Sequence, residues 1–191
     1  IVLVEVVPQN PRNAEQPLDK KNIREKSQNE IIKPSRFNQT DLKKLKSLNN
    51  CKKCNLSRAN LSREKLKKAN MEEANLSYTN LSSADLSESN LTGSNLSKAN
   101  LESSNLKSAN LSKADLSQAK LKNSNLTYAN LNGANLDGAS LVKANLSYTR
   151  LTNTTFKNSI LTNANLTGAK LSGTNLSHAS LNGANLKRAG M

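Results

Sequence analysis

The 191 residues include no tryptophan, and aromatic side chains make up only 3% of them. An interior packed around rings is therefore excluded, and whatever is buried is built mainly from leucine and alanine. One histidine and two cysteines are too few to furnish a metal site of the usual His/Cys composition. No Ser/His/Asp set, paired-carboxylate cleft or glycine-rich phosphate loop is present. Neither an enzyme nor a bound metal or other cofactor is expected. No stretch is long and apolar enough to span a bilayer. The opening IVLVEVV is short and contains Glu5, which makes it a poor signal-peptide core. The chain starts at Ile1 without an initiator methionine, so either a processed chain or a piece of a longer one is expected, with room for a targeting segment ahead of Ile1.

Acidic residues are also scarce. There are 14 against 28 Lys and Arg, for a formal charge of +14. That sign invites nucleic acid, anionic lipid or an acidic protein as a partner. A bias toward Asn, Lys and Ser, of the kind an A/T-rich genome produces, supplies many of the lysines without any such role.

What is present divides near residue 50. Residues 1–39 hold all four prolines (Pro8, Pro11, Pro17, Pro34) amid mixed charge and without periodicity. They read as an extended or flexible segment, apart from the short apolar start, which suits a strand. Residues 40–50 contain Leu42, Leu45 and Leu48 at intervals of three, with lysines between them and Thr40 or Asp41 placed to cap the start. This is a short amphipathic helix. Alone it is too short to persist in water, so its leucines need a surface to cover.

From residue 51 to 191 one rule holds. An apolar centre recurs every fifth position, from Leu56 to Met191, with Met71 and Phe156 among the leucines. Neither regular structure repeats in fives. On a helix such residues are about 140° apart and wander over every side, and on a strand they alternate faces. Two positions before each centre lies a small residue, such as Ala59, Ala69 or Ser89, with Glu64 as the exception. Asn dominates just before the centre. For all centres to share one interior, the chain must turn a corner once per five residues, close after four and climb as a solenoid. Asn and Gly suit corners that need turn hydrogen bonds or positive φ.

Units such as Ala99-Asn100-Leu101-Glu102-Ser103 and Ala134-Asn135-Leu136-Asp137-Gly138 resemble the A(N/D)LXX signature of the pentapeptide-repeat family, over about three quarters of the chain. The resemblance implies an all-β fold, a right-handed quadrilateral β-solenoid of about seven coils, here with a short N-terminal capping helix. Residues 20 apart then share a column. Asn105, Asn125, Asn145, Asn165 and Asn185 form one expected amide ladder and Asn70, Asn90, Asn110 and Asn130 another. Tyr128 and Tyr148 stack as an outer pair, suited to a ligand or to plain surface packing.

Three further features are candidates. Cys51 and Cys54 form a CxxC in which both residues point inward in this register. A structural disulfide is the preferred reading, with buried free thiols and a redox centre as alternatives; a disulfide implies an oxidising compartment. Lys43, Lys44, Lys46, Lys52, Lys53, Arg58, Arg63, Lys65, Lys67 and Lys68 form a basic collar around the helix and first coil, opposed within that span only by Glu64. It suits an anionic surface, or serves only as a solvated end that repels other molecules. Glu64 in an inward slot implies either a distorted first coil or a carboxylate paired with a nearby lysine. His178, on an outward position, reads as ordinary surface.

The favoured function is a non-catalytic scaffold presenting flat faces to an unidentified protein partner, as a monomer or a weak end-to-end dimer through the C-terminal coil. The alternative is a binder of membrane headgroups or nucleic acid through the collar, with nucleic acid disfavoured because no aromatic platform lies near it. Some members of the resembling family mimic DNA and act on DNA gyrase. That role needs a negative surface, whereas residues 51–191 carry 18 basic and 8 acidic residues. The run DLKKLKSLNNCKKCNLSRANL is similar to the start of secreted cyanobacterial members, which implies periplasm or thylakoid lumen, with the cytoplasm as the alternative.

Overall fold

The structure, a computed structural model, describes residues 37–190. The expected extended segment lies outside these residues up to Arg36, as does the last centre, Met191. Phe37, Asn38 and Gln39 depart from that expectation: Phe37 packs against the core, Asn38 caps a helix and Gln39 begins it.

From Cys51 the backbone repeats a single five-residue turn. The N–H of the small residue donates to the carbonyl of the centre three positions earlier, as from Ala59 to Leu56 at 3.0 Å and from Ser94 to Leu91 at 3.1 Å. The second central residue of the turn has positive φ in all 28 repeats, from Lys53 at 59° to Arg188 at 58°, and only six of these residues are glycine. A type II turn demands such a φ at this position. For the other 22 residues it costs about 1–2 kcal/mol each, so the surrounding structure must over-determine it.

Hydrogen bonding between coils supplies that determination. Parallel bridges join each residue before a centre to the one 20 positions on, from Asn50–Asn70 to Lys170–Gly190. Every bridge is one residue long, so the described solenoid walls contain no regular strand. Taking one repeat, Leu76 N–H donates to Asn95 O (2.7 Å), Tyr78 N–H to Ser97 O (3.0 Å), Thr79 N–H to Leu76 O (3.2 Å) and Asn80 N–H to Ala59 O (3.0 Å). The remaining N–H, on Ser77, donates to the side-chain Oδ1 of Asn75 at 3.1 Å. All five donors of the unit are thereby satisfied. The division of labour is sharper than the composition implies: Asn before the centre supplies the turn acceptor, while the positive φ falls three residues later.

The centres from Leu56 to Leu171 are buried and form one continuous core with the small inward residues. Where an inward residue is Ser or Thr, its hydroxyl donates to a centre carbonyl, as Ser104 does to Leu101 (2.7 Å) and Thr79 to Leu56 (2.9 Å). No buried side-chain polar atom lacks a partner among the described residues. Leu176, Leu181 and Leu186 are only half-buried, although they pack against the same core.

Helix α1 spans Gln39–Leu48. Its N-cap is Asn38, two positions ahead of the expected Thr40 and three ahead of Asp41; Asn38 Oδ1 accepts from Thr40 N–H (2.9 Å) and Asp41 N–H (3.4 Å). This releases the Asp41 carboxylate, which accepts from Asn55 N–H at 2.8 Å. Asn38 N–H in turn donates to Asn55 O at 2.9 Å. The cap segment therefore supplies both a donor and an acceptor to an edge residue of the first coil. Its apolar face differs from the expected one. Leu45 is buried and Leu42 partly so, but Leu48 is 67% exposed. Steps of three residues drift around a helix by about 60°, so only the middle leucine points straight at the coil, and Phe37 adds apolar cover in place of Leu48.

Truncating a central leucine should cost more than truncating a terminal one. Leu116→Ala is expected to lower unfolding free energy by about 2–5 kcal/mol, and Leu181→Ala by less than half as much, as measured by urea denaturation followed by circular dichroism.

Candidate functional site

The first coil brings the two cysteines together through its first turn. Cys54 N–H donates to Cys51 O at 3.1 Å, and a disulfide joins the side chains, with Cα atoms 5.2 Å apart. Both residues are buried, and Cys51 Sγ lies 3.1 Å from the Asp41 carbonyl oxygen of α1. The bridge thus sits beneath the helix, at the start of the core.

The collar is less cationic than its composition indicates. Lys52 Nζ lies 2.9 Å from Glu72, Lys53 Nζ 3.2 Å from Glu73, and Glu88 receives both Lys67 (3.1 Å) and Lys68 (3.5 Å). Lys46, on α1, pairs with Glu64 at 2.7 Å. Arg58 lies over the Tyr78 ring, 4.7 Å from its centroid. Lys43, Lys44, Arg63 and Lys65 are exposed. Half of the ten cations are therefore held by carboxylates, four of these five by the next coil. The expectation that Glu64 alone opposes them considered only neighbours in sequence; the 20-residue period delivers Glu72, Glu73 and Glu88, and position numbers alone carry that signal. Glu64 itself does not distort its turn, whose bond to Leu61 O measures 3.3 Å; its carboxylate turns outward to Lys46.

Electrostatics in this region follow from those contacts. A hydrogen bond from Lys67, supported by the charges of Lys67 and Lys68, holds Glu88 below the usual carboxylate range. Hydrogen bonds from Ser87 and Asn105 do the same for Asp85 against some burial. Glu72 raises the Lys52 ammonium, and a hydrogen bond from Lys98 (3.1 Å) with its charge lowers the Tyr78 phenol.

Charges elsewhere obey the same column rule. Within residues 51–190, seven pairs of charged residues stand 20 apart. Six join opposite signs: Lys52 with Glu72, Lys53 with Glu73, Lys65 with Asp85, Lys68 with Glu88, Glu102 with Lys122, and Asp137 with Lys157. The seventh, Arg150 with Lys170, joins like signs. Past Asp137 there is no acidic residue at all, while six lysines and arginines remain. Arg150 and Lys170 line an open groove beside Tyr128 and Tyr148. The tyrosine rings stack with centroids 5.3 Å apart and planes 14° apart, and both are about half exposed.

The Asn columns pair amide to amide only in part. Asn125 donates to Asn105 and Asn165 to Asn145, each at 3.4 Å, and Asn130 donates to Asn110 at 3.1 Å. The stronger use of each Asn is its acceptor bond to the following turn. His178 is exposed at a positive-φ turn position. Among the described residues no group of His, Cys, Asp and Glu is arranged to hold a metal, and no helix is long and apolar enough to cross a membrane.

A family model described as pentapeptide repeats, eight copies long, matches residues 54–93, 84–123, 119–158 and 159–189. Among solved structures, a pentapeptide repeat protein (Rfr23) from the cyanobacterium Cyanothece 51142 is 31% identical, over 79% of this chain and 97% of its own, with a TM-score of 0.37. A pentapeptide repeat protein from the thylakoid lumen of Arabidopsis thaliana is 31% identical over 59% of this chain and 64% of its own, with a TM-score of 0.21. QnrB1, a plasmid-mediated fluoroquinolone resistance protein, is 20% identical over 66% and 76%, with a TM-score of 0.46. No curated protein matches the sequence.

Two outcomes are expected here. Asp85 and Glu88 have lowered folded-state pKa values, so their contribution is complete above about pH 4 and is lost as pH falls through the folded values. The thermal midpoint should be level from pH 8 to 5 and fall below pH 4, and Asp85→Asn should flatten part of that acid branch. Thiol titration of the denatured, unreduced protein should find no reactive thiol, and reduction should lower stability by about 2 kcal/mol, given so short a loop.

Proposed function

We propose, since this chain belongs to the pentapeptide repeat family, that it acts as a non-catalytic interaction scaffold: a right-handed β-helix solenoid whose outer faces are read by a protein partner. Its cross-section is four-sided, with about seven coils capped at one end by α1. The observation that carries this reading is the unbroken turn geometry from Lys53 to Arg188. With every corner set by backbone hydrogen bonds, outward side chains stand on a fixed grid, and a partner meets them without an ordering cost.

The disulfide beneath the cap supports an oxidising compartment, periplasm or thylakoid lumen. We read any self-association as a weak end-to-end contact through the C-terminal coil, where centres are half-buried. Binding of anionic surfaces through the N-terminal collar is the weaker reading, because ion pairs hold half of its cations. DNA mimicry calls for a negative surface and does not suit a solenoid without acidic residues after Asp137.

Immobilised protein is expected to retain a discrete partner saturably from an extract of its source, in the presence of nuclease and detergent. A Lys52→Glu/Lys53→Glu/Arg58→Glu variant should retain the same partner. Absence of any saturable protein, or retention lost on nuclease or detergent treatment, would overturn the scaffold reading.

A further inference from the structure

The column that starts at Asn50 continues as Asn70, Asn90, Asn110 and Asn130, then changes to Arg150 and Lys170. Each of the five asparagines accepts the N–H two residues on, at 3.1 to 3.4 Å. Arginine and lysine have no acceptor to offer there. At Arg150 the stranded N–H, on Thr152, is taken by Asn132 Oδ1 from the coil below, at 3.0 Å. The column thus gives up its own turn bond in order to carry two cations, and a residue elsewhere compensates. The exchange brings a second cost: Arg150 and Lys170 are directly bridged, and like charges facing each other across a bridge are destabilising. Neither substitution helps the solenoid stand.

What adjoins these cations gives the site its character. On the neighbouring corner column, Tyr128 and Tyr148 are exposed and stacked. The residue above Tyr148 is Gly168, and a β-carbon at Gly168 would lie 2.7 Å from the tyrosine ring. The glycine therefore gives that ring its place. Between the two columns runs a groove from Ser108 to Lys170, with Asn110 and Asn130 along its lower part and Arg150 and Lys170 at its upper end.

We propose that this groove binds an acidic peptide segment of a partner protein, with carboxylates on Arg150 and Lys170 and the chain lying along Tyr128 and Tyr148. The inference rests on the scaffold reading and names the surface that does the work. The groove crosses three coil steps, about 14 Å, the length of roughly four extended residues. It is open and shallow, as a peptide needs, and combines tyrosine with arginine, the residues that dominate binding energy at protein interfaces. Single-stranded nucleic acid, the other polyanion, needs ring faces on which successive bases stack. Here the rings face each other and Tyr148 leans on Gly168, so at most the lower face of Tyr128 is open.

The test is fluorescence anisotropy with purified full chain and a labelled peptide Glu-Glu-Tyr-Glu-Glu, against Gln-Gln-Tyr-Gln-Gln as control. Arg150→Asn/Lys170→Asn restores the column's own residue, so it should unfold at an equal or higher temperature while binding the acidic peptide at least tenfold more weakly. Tyr148→Ala should weaken binding severalfold, and Lys43→Gln/Lys44→Gln less than twofold. The proposal is overturned if the Asn variant binds like the wild type, if the wild type fails to prefer the acidic peptide, or if a short single-stranded DNA binds more tightly with the same dependence on Arg150 and Lys170. If the Asn variant retains the natural partner as well as the wild type does, this site is wrong and the scaffold reading stands. If the peptide binds but no partner is ever retained, the reverse holds.

Discussion

Each five-residue turn leaves one backbone N–H, on the residue after the centre, that makes no backbone hydrogen bond to a neighbouring coil. In most turns its acceptor is the side chain of the Asn or Asp two positions earlier, as Asn125 Oδ1 serves Thr127 N–H at 3.1 Å and Asn165 Oδ1 serves Thr167 N–H at 3.0 Å; Thr152 and Lys157 instead donate to Asn132 and Asp137 of the coil below. With that donor satisfied, the turn holds its left-handed residue. The bridging positions of successive coils then fall in line, and the centres point to one interior. Most residues that carry this N–H are at least partly exposed, so each such bond adds a modest amount, about 0.5–1.5 kcal/mol, repeated over many turns. The recurrent Asn thus favours the corner without being indispensable to it, since the same turn forms after Lys65, Lys120, Ser140 and Ile160.

The charge pattern follows from the same stacking. Because the coil closes at 20 residues, a lysine is answered by whatever stands 20 positions on, far outside its sequence neighbourhood. Of the six stacked pairs of opposite sign, Lys52–Glu72, Lys53–Glu73 and Lys68–Glu88 close as ion pairs, all in the first coils. Individually such exposed pairs add little stability. Their larger effect is to withdraw cations from the surface available to a partner. Past Asp137 no acidic residue follows, and the net positive charge is felt there.

Much of this was legible in residue order, and the parts that were not share one cause. The period of five, the inward centres, the helix ahead of the first coil and the inward cysteines are all local patterns. The identity of the helix cap was missed because Asn38, Thr40 and Asp41 are all good caps, and only the contact between Asp41 and Asn55 N–H distinguishes their roles. Leu48 reads as apolar cover, but its azimuth on a helix that stops at Asn49, with φ of 52°, leaves it in solvent. The collar reads as strongly basic because composition within a window cannot see Glu72, Glu73 and Glu88, although the period of 20 contains that information.

Sequence by itself determined the unit and its repetition: a small residue, an acceptor amide and an apolar centre, in that order, specify a turn whose hydrogen bonds are mostly internal to a few residues or one coil away. Only the tertiary structure decided which charges cancel, which aromatic rings meet and which cations are left without a counter-charge. Those outcomes depend on side chains meeting across coils and on the direction each leaves its column, and neither is a property of any single five-residue unit.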